Sequence, residues 1–130
     1  MSADLSEYVN GVQHIGIPTN NIDATVSFYN SLGFLTIFSS VNNGVPVAFL
    51  KFKNLMIEAY QNNLAAMKRG AIDHIALDVS DVQAVFEIIK TKGYSMIHKE
   101  IQFLPFLENG VGYFSIEGPN KEVIEFNQLL

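Results

Sequence analysis

Two stretches of this chain lie on one another without a gap: VQHIGIPTNNIDATVSFYNSLGFLTI, Val12 to Ile37, and IDHIALDVSDVQAVFEIIKTKGYSMI, Ile72 to Ile97. His14 falls on His74, Ile15 on Ile75, Ile17 on Leu77, Ala24 on Ala84, Gly33 on Gly93, Phe34 on Tyr94 and Ile37 on Ile97. The ends of the two halves match as well, Ile57-Glu58-Ala59-Tyr60-Gln61 against Ile124-Glu125-Phe126-Asn127-Gln128. A self-match of this kind marks a duplicated supersecondary unit, so one local fold must satisfy both copies. Each copy carries one of the paired histidines near its start and one glutamate near its end.

The pattern within a copy reads strand, helix, strand, strand, strand. Val12 to Ile17 alternates in the strand period, with Val12, His14 and Gly16 on one face. Asn20 or Asn21 can cap a helix whose apolar stripe is Ile22, Val26, Tyr29 and Leu32, and Gly33 ends it. Phe34 to Ser40 is predicted as a strand, Asn42-Asn43-Gly44 as a turn, and Val45 to Phe52 with Leu55 to Tyr60 as a hairpin around Lys53-Asn54. The second copy predicts a strand over Ala71 to Val79, and Ser80 with Gln83 has the form of a capping box. A helix follows with Val82, Val85, Phe86 and Ile89 inward, closed by Gly93; strands are expected at Tyr94 to Lys99, Val111 to Glu117 and Glu122 to Gln128. This gives an arm over residues 1–10, a first module over 11–60, a linker over 61–70 and a second module over 71–130. From Ile37 to Glu58 is 21 residues and from Ile97 to Glu125 is 28, so the second copy is seven residues longer, and Glu100 to Gly110 accommodates the excess.

Composition narrows the chemistry. A net charge of -5 with Arg69 as the only arginine leaves no basic footprint for nucleic acid or an anionic membrane. The absence of cysteine excludes disulfides and thiolate metal sites, so any metal must be held by His and carboxylate. The polar, acidic start and the lack of a long apolar run predict a cytoplasmic protein with no membrane partner.

Alternation places Glu58 on a face with Met56 and Tyr60, and Glu125 on a face with Val123 and Asn127. Were the two halves to pack as one pseudo-symmetric sheet curved around those faces, His14, Glu58, His74 and Glu125 would converge. A lone strand histidine is usually a hydrogen-bonded structural residue, and a lone outward glutamate is usually just solvated. Recurrence of both at matched positions favours a site, because two imidazoles and two carboxylates on a half-buried face need a partner, which a divalent cation supplies. His98 aligns with Phe38, has no repeat mate and is expected at the surface or rim.

The two openings quoted above and the closing YFSIEGPNKEVIEFNQ resemble the vicinal oxygen chelate superfamily, the glyoxalase, bleomycin-resistance and extradiol dioxygenase group, over Val12 to Gln128. The resemblance implies an α+β fold of two βαβββ modules forming a curved mixed sheet, a cup, with helices outside. It implies one metal held by His14, Glu58, His74 and Glu125, a set most similar to that of glyoxalase I, lactoylglutathione lyase. Bleomycin-binding members lack the ligands, extradiol dioxygenases leave the Glu58 position without one, fosfomycin-modifying members use basic side chains, and methylmalonyl-CoA epimerases place Gln at that position.

Four protein ligands leave an octahedral ion two adjacent positions, and the ion would stabilise the enediolate formed when a proton leaves a carbon beside a carbonyl. The resemblance makes Glu125 the first candidate for the base and Glu58 the second. The ion is expected to be Ni, Co or Zn ahead of Mn or Fe, the partner a small-molecule substrate, and the assembly a homodimer. The alternatives are an epimerase or extradiol-type dioxygenase of the same group, or a non-catalytic small-molecule binding or resistance protein. The apolar run Ile101 to Leu107, with Phe103 and Phe106, reads equally as a wall of the substrate pocket and as an edge strand or subunit contact. The glutathione-using branch carries an arginine soon after the first helix, where this chain reads Phe34-Leu35-Thr36-Ile37-Phe38.

Overall fold

The computed structural model describes residues 4–130. Of the arm expected over residues 1–10, residues 1–3 lie outside that range, and Asp4 caps a single 3-10 turn at Leu5–Glu7. The chain divides into two compact units that meet in sequence between Ala65 and Ala66. Each holds one helix and one mixed sheet, so the fold is α+β. No helix among the described residues is long and apolar enough to cross a membrane.

The first unit runs β1 (Ile15–Pro18), α1 (Ile22–Leu32), β2 (Leu35–Asn42), β3 (Val45–Phe52) and β4 (Leu55–Tyr60), in sheet order β1-β4-β3-β2. β1 lies parallel to β4, and the other neighbours are antiparallel. Helix α1 starts because the Asn21 side chain accepts from Ala24 N at 3.0 Å, an N-cap that satisfies one of the first-turn amides. It stops at Gly33, whose φ of 113° suits glycine, and a Cβ there would stand 3.1 Å from Phe52 Cζ. Tyr29, Phe34 and Phe52 form an edge-to-face chain with centroids 5.1 and 5.3 Å apart. Thr25 joins the buried stripe, its hydroxyl satisfied by Thr19 at 2.9 Å. Asn43 and Gly44, both at positive φ, make the two-residue hairpin turn that matches strand twist. The β2–β3 pairing skips from Thr36–Leu50 to Phe38–Phe49, leaving Ile37 as a bulge.

The second unit repeats the plan: β5 (Ile75–Asp78), α2 (Val82–Thr91), β6 (Ser95–Met96), β7 (Gln102–Leu104), β8 (Val111–Glu117) and β9 (Val123–Leu129), in order β5-β9-β8-β6, with β7 also on β8. Here β6 and β7 lie end to end along the edge that one strand, β2, occupies in the first unit. Helix α2 buries Val82, Phe86 and Ile89 toward Phe114, Ile116, Ile124 and Phe126 on β8 and β9. Its cap is Asp81, whose side chain accepts from Ala84 N at 3.0 Å, and not the expected Ser80. The expected strand over Tyr94 to Lys99 shrinks to two residues because the ladder is bulged at its far end: Ile97 N and His98 N both donate to Ser115 O. Of the seven extra residues, six fall between His98 and Ser115, 17 residues apart where Phe38 and Phe49 are 11 apart. The seventh sits in the β8–β9 turn, since Ser115 pairs with Glu125 across 10 residues where Phe49 pairs with Glu58 across 9.

Gln61 and Gln128, matched in the repeat, do matched structural work. Gln61 Oε1 accepts from Ile22 N and Gln128 Oε1 from Val82 N, each at 2.8 Å. The end of each module thereby binds the first turn of its own helix.

Candidate functional site

β1 and β5 begin one residue later than the histidines, so His14 and His74 stand at the mouths of their strands. Register does the rest. Gly16 pairs with Glu58 and Ala76 with Glu125, so each glutamate rises on the face toward which the preceding histidine points. His14 Nε2 lies 3.7 Å from Glu58 Oε1, and His74 Nε2 lies 3.7 Å from Glu125 Oε1. That separation is too long for a hydrogen bond.

The other ring nitrogen of each histidine is occupied. His14 Nδ1 donates to Gln13 Oε1 at 2.9 Å, and His74 Nδ1 donates to Asp73 Oδ2 at 2.8 Å. Because those oxygens are acceptors, the proton of a neutral ring sits on Nδ1 and the lone pair of Nε2 faces the glutamate. The residue before each histidine is therefore its orienter, neutral in the first unit and anionic in the second. The hydrogen bond from His74 holds the Asp73 carboxyl below the usual carboxylate range; desolvation opposes this, and the Arg69 guanidinium, 3.6 Å away, and the His74 charge reinforce it.

The two glutamates differ. Asn127 Nδ2 donates to Glu125 Oε2 at 3.0 Å, and the Glu125 side chain is 14% exposed. Glu58 has Tyr60 where Glu125 has Asn127, and its side chain is 30% exposed. The neighbours on β3 and β8 differ too: Phe49 meets the His14 ring edge-to-face at 5.8 Å, whereas Ser115 holds the equivalent place beside Glu125.

Within neither unit do three or more His, Asp or Glu side chains, among the described residues, stand together so as to hold an ion. The donors come as two like pairs. Of the residues expected to wall a pocket, Phe106 lines a hollow on the Glu125 face, with Ala76, Asp78, Val111 and Asn127. Phe103 does not line that hollow but borders another, with Leu104, Gly110 and Leu130; it pairs with Gly112 and lies against the helix side of the sheet, where a Cβ on Gly112 would be 3.2 Å from Phe103 Cε1 and 3.3 Å from Val82 Cγ1. The β7 pairing with β8 makes the run around Phe103 an edge strand.

His98, expected at the rim, is partly buried and fixed. Its Nδ1 accepts Ser115 N–H at 3.0 Å, and its ring meets Tyr113 edge-to-face at 5.4 Å. The bulge turns it toward the Ser115–Glu125 face, as the first unit's bulge turns Phe38 onto Phe49. Its missing repeat mate gave no sign of this; a bulge carries no residue signature in this chain.

A family model described as the glyoxalase/bleomycin resistance protein/dioxygenase superfamily matches residues 13–111, a span holding His14, Glu58 and His74. The chain is 32% identical over 126 residues to the uncharacterized protein YwbC of Bacillus subtilis (strain 168), covering 90% of this chain and 96% of that one. Among solved structures, a glyoxalase family protein from Enterococcus faecalis superposes with a TM-score of 0.76 at 18% identity, over 92% of this chain and 98% of that one. The genomically encoded fosfomycin resistance protein FosX from Listeria monocytogenes, crystallised with Mn(II) and sulfate, gives 0.73 at 17% identity over 94% of both chains. The structural likenesses establish the glyoxalase-like fold, and the family model and the Bacillus relative establish descent: this chain belongs to the glyoxalase/bleomycin resistance protein/dioxygenase superfamily.

Proposed function

We propose that His14, Glu58, His74 and Glu125 are ligands of a divalent metal ion, and that the chain is a metal-dependent isomerase of the glyoxalase I type, acting on a carbon beside a carbonyl. The observation that carries this is the identical construction of the pairs: Nδ1 tied back, Nε2 aimed at a glutamate oxygen 3.7 Å away, in both units. Ligand atoms each about 2.1 Å from one ion stand about 3–4 Å apart, so each pair fits two places on a shared ion. The FosX structure, with its Mn(II), shows that a relative of this fold accepts a divalent ion.

Nitrogen and oxygen donors without sulfur suit Ni, Co or Zn ahead of Mn or Fe. When bound, such an ion supplies Lewis acidity to two neighbouring substrate oxygens. The chain's own carboxylates move the proton. Glu125, held at Oε2 by Asn127, would be released from the ion as substrate binds and could then take a proton from one carbon and return it to the next. Glu58, without such a donor, is the second carrier. Hemithioacetals of methylglyoxal with several thiols, offered to metal-loaded protein in D2O, test the reading. The expected result is conversion to the 2-hydroxy thioester, slowed about 100-fold or more in Glu125→Gln. Turnover of none of them by metal-loaded protein would reject the glyoxalase reading.

The orienters give a second expectation. Asp73→Leu frees the Nδ1 side of His74 and should weaken divalent-ion binding roughly 10-fold, as loss of an outer-shell partner commonly does. Gln13→Leu, removing a neutral partner, should weaken it less. Competition against a chromogenic chelator measures both, and equal or absent effects would show that these contacts do not orient the rings.

A further inference from the structure

The hollow beside Glu125 is a built feature of the second unit. Ala76 and Asp78 on β5, Val111 on β8 and Asn127 and Leu129 on β9 floor it, and Phe106 and Leu107 of the inserted loop wall it, around about 490 Å³. That volume is within the range of small-molecule sites. The loop is held in shape by Leu107 and Gly110 at positive φ, and a Cβ on Gly110 would come 3.0 Å from Leu104 O. The first unit lacks these inserted residues.

Two observations say what the hollow receives. The first is continuity with the glutamate: Ala76 is the register partner of Glu125, and Asn127 is its hydrogen-bond donor, so the floor begins at that carboxylate. The second is charge. Among the described residues that line it, Asp78 is the one charged residue and none is Lys or Arg, while Phe106, Leu107 and Leu129 are more than half exposed. An anionic substituent would meet like charge and find no cation; an apolar one would cover exposed apolar surface.

We infer that the substrate carries an uncharged apolar tail, seated in this hollow, next to the oxygens handled at Glu125. This rests on the proposed function for the oxygens but not for the tail. Two measurements separate them. In ¹⁵N spectra of the protein, 1-hexanol should shift the amides of Ala76, Val111 and Leu129, and hexanoate should shift them less. Against metal-loaded protein, the affinities of acetohydroxamate, butanohydroxamate and hexanohydroxamate, read by calorimetry, should rise about three- to fourfold per methylene, and Phe106→Asp should flatten the rise. Absence of hexanol shifts at those residues, hexanoate equalling hexanol, or affinity independent of chain length while acetohydroxamate binds would each overturn the inference. Hexanol shifts as expected, with no hydroxamate bound at all, would uphold the apolar hollow and sink the metal reading alone.

Discussion

Purified protein, after incubation with Ni, Co or Zn and desalting, will hold about one divalent ion per chain, and His74→Ala will hold almost none. The expectation follows from how each pair is made. His74 offers an oriented lone pair to a place shared with Glu125, and losing it leaves the second unit with a single oxygen donor. The ring is exposed and stands before β5, so the variant should keep the wild-type unfolding temperature. His98→Ala provides the contrast: its Nδ1 is already committed to the Ser115 amide, and metal content should not change. Elemental analysis of the three proteins decides the matter. Equal metal in wild type and His74→Ala, or none in the wild type with any ion, would remove the pairs as ligands.

The largest stability effect is expected at Phe114. Its side chain is fully buried, stacked on Phe126 at 5.0 Å and met edge-on by Phe86 at 5.1 Å, so it joins both inner strands to α2. Phe114→Ala should cost about 3–5 kcal/mol, the range for emptying a buried aromatic site. The pairing pattern puts Ala48 at the equivalent place in the first unit, opposite Ala59, and there the bulk comes from Tyr29 and Phe34 instead. Ala48→Gly should therefore cost much less. Urea unfolding measures both, and a Phe114→Ala midpoint within error of wild type would show that the neighbouring rings close over the gap.

The repeat made most of this readable. The Asn21 cap, the Gly33 stop and the Asn43–Gly44 turn are local effects with residue signatures, and each stands where its signature lies; the opening strands, expected from Val12 and Ala71, begin only at Ile15 and Ile75, where their pairing with β4 and β9 starts. The facing of Glu58 and Glu125 was equally legible, because a two-residue period carries side-chain direction along an unbroken strand. It fails where the period slips. One extra residue in a ladder shifts everything beyond it to the opposite face, so Met96 and His98, two apart, lie against Ile116 and Ser115 on opposite sides of β8. The insertion hides its facing in the same way: Phe103 and Phe106 look interchangeable in an apolar run, but the register of β7 sends Phe103 to the helix side. Asp81 over Ser80 was a choice between two good caps one residue apart, decided by where the Gln128 amide oxygen meets the helix.

The bonds from Gln61 and Gln128 to the helices have a consequence for biosynthesis. Each joins residues far apart in sequence, Ile22 to Gln61 across 39 positions and Val82 to Gln128 across 46. Each also stays inside its own unit. As the chain leaves the ribosome, α1 can be latched once Gln61 emerges, before any strand of the second unit has followed it out. The second helix must wait, unlatched, until Gln128 follows it out, so a nascent chain exposed through α2 but not yet to Gln128 presents one closed module and one whose apolar helix face is still open to chaperones.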